Sequence, residues 1–123
     1  MLFNYQQGFT LIEVMVAVVI LSVSLLGFAQ AQLNALHASE QANLINLADL
    51  KNQELAESFM ICGSQPFCLR QVLILWRKET QEIFPKGIGL VTKLNFSTYQ
   101  SKIQWLFSFS RFPSSLNLLF NSI

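Results

Sequence analysis

One carboxylate stands where a long apolar run begins. Glu13 follows Gly8-Phe9-Thr10-Leu11-Ile12, and from Val14 through Ser39 there is no Asp, Glu, Lys or Arg. A charged side chain deep in hydrocarbon costs roughly 2.5 to 3.5 kcal/mol on insertion scales, so such an acid needs a purpose or a partner. The chemistry open to Glu13 is pairing with a cation; the plain alternative is a carboxylate near lipid headgroups that stays solvated. A second candidate pair is Cys62 and Cys68, separated by Gly63-Ser64-Gln65-Pro66-Phe67. In an exported protein a short Gly- and Pro-containing loop between two cysteines points to a disulfide; the alternative is two unrelated thiols. Metal binding is disfavoured, because zinc takes four ligands and the one histidine, His37, stands on another segment. No nucleophile and base can be assembled around His37, which fits a solvated position on a polar helix face. Glu54 with Glu57, and Glu79 with Glu82, are i,i+3 pairs that solvation explains. No glycine-rich phosphate loop follows a strand. The residues therefore point away from an enzyme and from any cofactor.

Those groups must be carried by a small chain. At 123 residues the length prior gives one domain. With the apolar run set aside, roughly 85 residues remain, enough only for a small core that often needs a partner or a disulfide. Charged residues make up 12% and hydrophobic residues 52%, and the eleven Phe and two Trp fall mostly in the C-terminal half. The net charge of +1 conceals an asymmetry: −4 up to Glu57 and +5 from Arg70 onward. A basic half can meet an anionic partner, but with no clustered basic run, scattered solvated charges explain it better and nucleic acid is disfavoured.

Residues 1–8 are too short and mixed to pack, and read as a processing leader. A secretory signal would carry a basic n-region and a small-x-small cleavage site; Ala29-Gln30-Ala31 offers the site, but the leader has no Lys or Arg and Glu13 heads the apolar core. From Phe9 to about Phe28 the pattern is apolar on every side, as for a helix buried or in lipid, and about 20 such residues span a bilayer. Beyond it Leu33, Leu36, Leu44, Leu47, Ala48, Leu55 and Phe59 keep one apolar stripe at helical spacing. The expectation is a single helix over residues 9–60, about 9–36 for membrane and assembly and 37–60 amphipathic. Gly63 and Pro66 make a loop. Leu69, Val72, Leu73, Trp76 and Ile83 mark a short helix from Leu69 to Phe84, stopped by Pro85-Lys86-Gly87.

After Gly87 the period becomes two. Ile88, Leu90, Thr92, Leu94 and Phe96 form one set, alternating with Gly89, Val91, Lys93 and Asn95. Tyr99, Ser101, Ile103, Trp105, Phe107 and Phe109 form the next. Such alternation indicates half-buried antiparallel strands, and the helix stripe is the obvious cover for their apolar face. Residues 111–123 leave a third strand and a docked segment both open. The expected fold class is α+β: a long N-terminal helix, its first half membrane-spanning, packed on a small antiparallel sheet head over residues 61–123.

Gly8-Phe9-Thr10-Leu11-Ile12-Glu13-Val14 resembles the type IV prepilin signature shared by pilins, minor pilins and type II secretion pseudopilins. Leu25-Leu26-Gly27-Phe28-Ala29, Leu33-Asn34-Ala35-Leu36, Leu47-Ala48-Asp49-Leu50 and Trp76 are similar to minor pilins of the type IV pilus modification (PilV) class. Ile83-Phe84-Pro85-Lys86-Gly87-Ile88-Gly89-Leu90-Val91 and the Tyr99-to-Trp105 strand resemble the same class. The strong part covers Gly8 to about Leu55; the rest matches in patches. The resemblance implies cleavage between Gly8 and Phe9 by a prepilin peptidase and N-methylation of Phe9. It also implies that Glu13 meets a neighbouring subunit's terminal amine in the filament, setting register and neutralising a buried charge.

The implied protein is a minor pilin, held as a single-pass protein of the bacterial inner membrane with its head in the periplasm, then drawn into a pilus or pseudopilus. Its implied partners are other pilin subunits, the prepilin peptidase, the inner membrane and the pilus assembly machinery. The leader departs from the class in having no Lys or Arg, and the C-terminal part is short and Phe-rich, as a truncated or altered head would be. The rival readings are a minor pseudopilin, a DNA-uptake filament subunit and a single-pass protein that does not polymerise.

Overall fold

The computed structural model describes Gly8, residues 10–107 and residues 109–121. Its elements follow in the order α1 (Leu11–Cys62), α2 (Pro66–Ile83), β1 (Ile88–Lys93), β2 (Thr98–Trp105) and β3 (Ser114–Asn121). The class is α+β, a long N-terminal apolar helix with a small three-stranded antiparallel sheet. Two compact units result, one reaching to Glu40 and one starting at Gln41.

Among the described residues of the first unit nothing covers α1. Its large apolar side chains from Leu11 to Phe28 are about half to four-fifths exposed, as in a helix whose surroundings are apolar. The two serines in this stretch turn inward to their own helix: Ser22 Oγ donates to the Val18 carbonyl at 2.7 Å and Ser24 Oγ to the Ile20 carbonyl at 2.8 Å. That leaves no bare hydroxyl donor on the apolar surface, which hydrocarbon would penalise.

In the second unit α1 becomes one-sided. Leu44, Ala48, Leu55, Ala56 and Phe59 are buried at helical spacing. The stripe is shorter than the sequence suggests, since Leu33 and Leu36 are 51% and 63% exposed. It also contains a polar residue that periodicity passes over: Asn52 is fully buried, and its amide finds no hydrogen-bond partner among the described residues. Gly63 ends the helix at φ 58°, its N–H donating to the Phe59 carbonyl at 3.1 Å. This is the left-handed C-terminal cap that glycine adopts without steric cost. Pro66 is not in the loop as expected but opens α2, where its fixed φ suits the first turn and its missing N–H is no loss. Helix α2 thus starts three residues before Leu69, and of its predicted stripe Trp76 is buried while Ile83 is 40% exposed.

The strands form a meander, β1-β2-β3, with every neighbour antiparallel. Residues 111–123 do supply a third strand. Both predicted alternating runs are shortened. Strand β1 stops at Lys93, where the Leu94 and Asn95 N–H groups donate to the Thr98 carbonyl, and β2 stops at Trp105, where the Leu106 N–H donates to the Pro85 carbonyl. The inner face carries Tyr99, Ser101, Ile103 and Trp105, with Leu116, Leu118 and Phe120 opposite them. Phe59 from α1 meets the rings of Tyr99 and Phe120 edge-on at 5.1 and 5.4 Å. These are preferred aromatic arrangements worth about 0.5–1.5 kcal/mol beyond the area buried.

Strand β1 corrects the sequence reading. The larger set, Ile88 and Leu90, faces outward, while Gly89 and Val91 share the inner face with Ile103 and Ser101. The reason is steric. A Cβ on Gly89 would lie 2.6 Å from Cζ3 of Trp76, so the tryptophan ring occupies the space that a side chain would need. Gly89→Val should therefore destabilise the second unit by about 1–3 kcal/mol, the usual cost of overpacking. Thermal unfolding of the detergent-solubilised chain measures it, and an unchanged midpoint would contradict the close approach.

Candidate functional site

The N-terminal candidates fall at a helix start. Thr10 is the residue before α1, and its Oγ1 accepts the Glu13 N–H at 3.3 Å, while the Val14 N–H donates to the Thr10 carbonyl at 3.3 Å. Thr at the cap and Glu at the third helical position is the order of a capping box. Thr10 was not among the predicted site residues, although the Thr-x-x-Glu spacing was available in the sequence to find it. Glu13 itself stands in the first turn of α1, where the positive end of the helix dipole favours a carboxylate. It borders a shallow apolar face with Val14, Ala17, Val18 and Leu21. Gly8 is exposed. Phe9, the predicted new N-terminus, lies outside the described residues.

Cys62, the last residue of α1, and Cys68, in the first turn of α2, are joined by a disulfide with a Cα–Cα distance of 5.5 Å. The bridge closes the turn that contains Gly63 and locks the two helices where they meet. On the chain-entropy account so short a loop gives about 2 kcal/mol.

A third cluster lies between the same helices. Lys51 Nζ donates to Glu54 Oε2 at 2.7 Å and to Glu79 Oε2 at 2.6 Å. One turn from Glu79, the Trp76 indole N–H donates to the Lys51 carbonyl at 2.9 Å. Glu54 and Glu79, treated in the sequence as solvated acids, are thereby drawn together by one lysine. Burial pulls the Lys51 pKa down, but the hydrogen bonds and negative charges of Glu54 and Glu79 outweigh it and hold it above the ordinary lysine value. A raised folded-state value stabilises the fold fully below the ordinary lysine pKa, and the gain is lost as pH rises through the raised value. Lys51→Met should cost up to about 1 kcal/mol at neutral pH, as half-exposed ion pairs do. The gap in melting temperature from the parent should close as pH climbs past the lysine range; a gap independent of pH would refute the charge contribution.

Among the described residues no group of three or more His, Cys, Asp or Glu side chains gathers as a metal site would require. The disulfide and the Lys51 cluster hold α1 and α2 in place.

Residues 3–29 match the family described as the prokaryotic N-terminal methylation motif. No curated protein and no solved structure matches this chain. The matched stretch is type IV prepilin-like, and it indicates a protein of the type IV pilin or pseudopilin class, a class of structural subunits. The match includes Gly8, Phe9, Thr10 and Glu13 and ends within the exposed apolar part of α1. That helix is long and apolar enough to cross a membrane, and together with the motif it indicates membrane anchoring.

Proposed function

We propose that the chain is a minor pilin, a non-catalytic subunit that a prepilin peptidase trims between Gly8 and Phe9 and methylates at Phe9. Residues 1–8 are then the leader, residues 9–60 the anchoring and assembly helix, and residues 61–123 the greater part of the head. The observation that carries this reading is the coincidence of the methylation motif with a capped helix of membrane length whose first turn holds the motif's own acid. Removal of the leader creates a cation at Phe9, close in sequence to Glu13. In a filament the carboxylate of one subunit meets the terminal amine of the next, which neutralises both in an apolar setting. The disulfide fits a head on the oxidising, periplasmic side of the inner membrane. A pseudopilin would share all of the N-terminal physics, and co-purifying partners separate the two readings.

Intact-mass analysis after co-expression with a prepilin peptidase should show loss of Met1 to Gly8 and gain of one methyl group. An unprocessed chain, or a cut after Ala31, would overturn the proposal. Glu13→Gln keeps the side-chain acceptor of a capping box and removes the charge. Glu13→Gln and Glu13→Ala should both insert into the membrane normally yet enter filaments about tenfold less or worse, as loss of one partner of a buried pair predicts. Normal incorporation of Glu13→Gln would assign Glu13 to helix capping alone.

A further inference from the structure

Two exposed rows in the second unit carry opposite charge at nearly the same pitch. On α2, Arg70 and Arg77 are seven residues apart, with exposed Phe67 and Ile74 beside them. The two arginines line one shallow groove together with Leu73 and Ile74. On α1, exposed Asp49 and Glu57 are eight residues apart, with Met60 and Ile61 exposed beyond them at 54% and 86%. At 1.5 Å rise per residue the arginines are about 10.5 Å apart along their axis and the acids about 12 Å, a mismatch that a flexible arginine absorbs.

Among the described residues neither row is neutralised by an ion pair. Among the described residues the ion pairs are those of Lys51, which takes Glu54 and Glu79. Asp49 accepts a hydrogen bond from the amide of Gln53, at 2.9 Å.

We infer that the Arg70–Arg77 face of α2 docks on the Asp49–Glu57 face of α1 in a second copy of this chain. The inference rests on the pilin reading and names the surface through which subunits would meet outside the membrane. Charge complementarity selects the occupant. An anionic membrane attracts a basic residue by about 1 kcal/mol, comparable with an exposed ion pair, but it presents no fixed spacing for Arg70 and Arg77 to match. Nucleic acid requires a row of phosphate contacts, and α2 offers a short one. The acidic, apolar-flanked helix of matching pitch is present in the chain itself. Guanidinium and carboxylate also pair bidentately, which fixes register as well as attraction. Because the two faces lie on different helices, a contact that does not close on itself would add subunits in a row, as heterologous contacts do.

The test uses the full chain in bacterial membranes with a prepilin peptidase, in two copies that carry different tags. Ile74 of one copy is replaced by the photo-crosslinker p-benzoylphenylalanine. Irradiation should join it to the other tag, with the adduct mapping to residues 45–61. Combining Arg70→Glu with Arg77→Glu in the first copy should cut the yield about tenfold, since like charges face each other. Adding Asp49→Arg and Glu57→Arg to the second copy should restore it. Adducts to lipid, to DNA or only to another protein would overturn the inference, and so would a charge swap that fails to restore the yield. Mass analysis of the same samples separates the two ideas. A processed chain without the adduct overturns this contact alone. An unprocessed chain that still forms it overturns the pilin reading alone.

Discussion

Trp76 is the side chain on which the second unit depends. Its indole N–H reaches the backbone carbonyl of Lys51 on α1, and its ring fills the space over Gly89 on β1, so one residue of α2 joins the three elements. It is 3% exposed, and its single polar atom is satisfied. Burial of so large a ring with its N–H paired gives both area and direction. Trp105 differs: its indole N–H is buried without an acceptor among the described residues. Its place is held by ring contact with Phe84, at 5.4 Å between centroids. An unpaired buried donor costs about 1–3 kcal/mol. Trp105 therefore adds apolar area at a polar cost, whereas Trp76 also fixes how the helices and the sheet meet. The disulfide and the Lys51 cluster act on the same joint between α1 and α2 and restrict it further.

Helix α1 answers to two different surroundings along its length. Up to Phe28 its apolar groups point outward on all sides, and its serines return their protons to its own backbone. From Leu44 it carries one buried stripe, with acids and amides on the other side. An isolated water-soluble helix would not present the first pattern, and a membrane helix would have no need of the second. The same hydrogen-bonded backbone serves both because a helix satisfies its own polar groups whatever surrounds it.

Much of this was legible in the residues. The apolar run, the rise in polarity after Gln30, the change of period at Gly87 and the short spacing of the cysteines are local signals, and α1, α2 and the strands follow from them. The facing of β1 was not legible, because it is decided by Trp76, thirteen residues earlier in the chain, and not by the hydrophobicity of Ile88 and Leu90. Burial of Asn52 was hidden for a similar reason, since side-chain type argues for the surface while position on the helix argues for the core. The contact of Lys51 with Glu79 joins residues 28 apart, a separation that no local pattern registers.

The start of α1 gives Glu13 a meaning that its place in an apolar run alone does not. With Thr10 as cap, the Glu13 N–H is one of the donors that a helix beginning leaves unsatisfied, and the threonine hydroxyl takes it. The carboxylate then stands where the helix dipole favours negative charge, worth typically 0.3–1 kcal/mol. That offsets only a part of the 2.5–3.5 kcal/mol cost of a charge held in hydrocarbon. Local structure thus explains why an acid is tolerated at this position, but it leaves most of the cost standing. On the proposed reading the cation that closes the difference is an N-terminus freed by cleavage, close to Glu13 in sequence. On that reading the acid is stable alone only near the headgroups and becomes stable within an apolar bundle once a neighbouring amine reaches it.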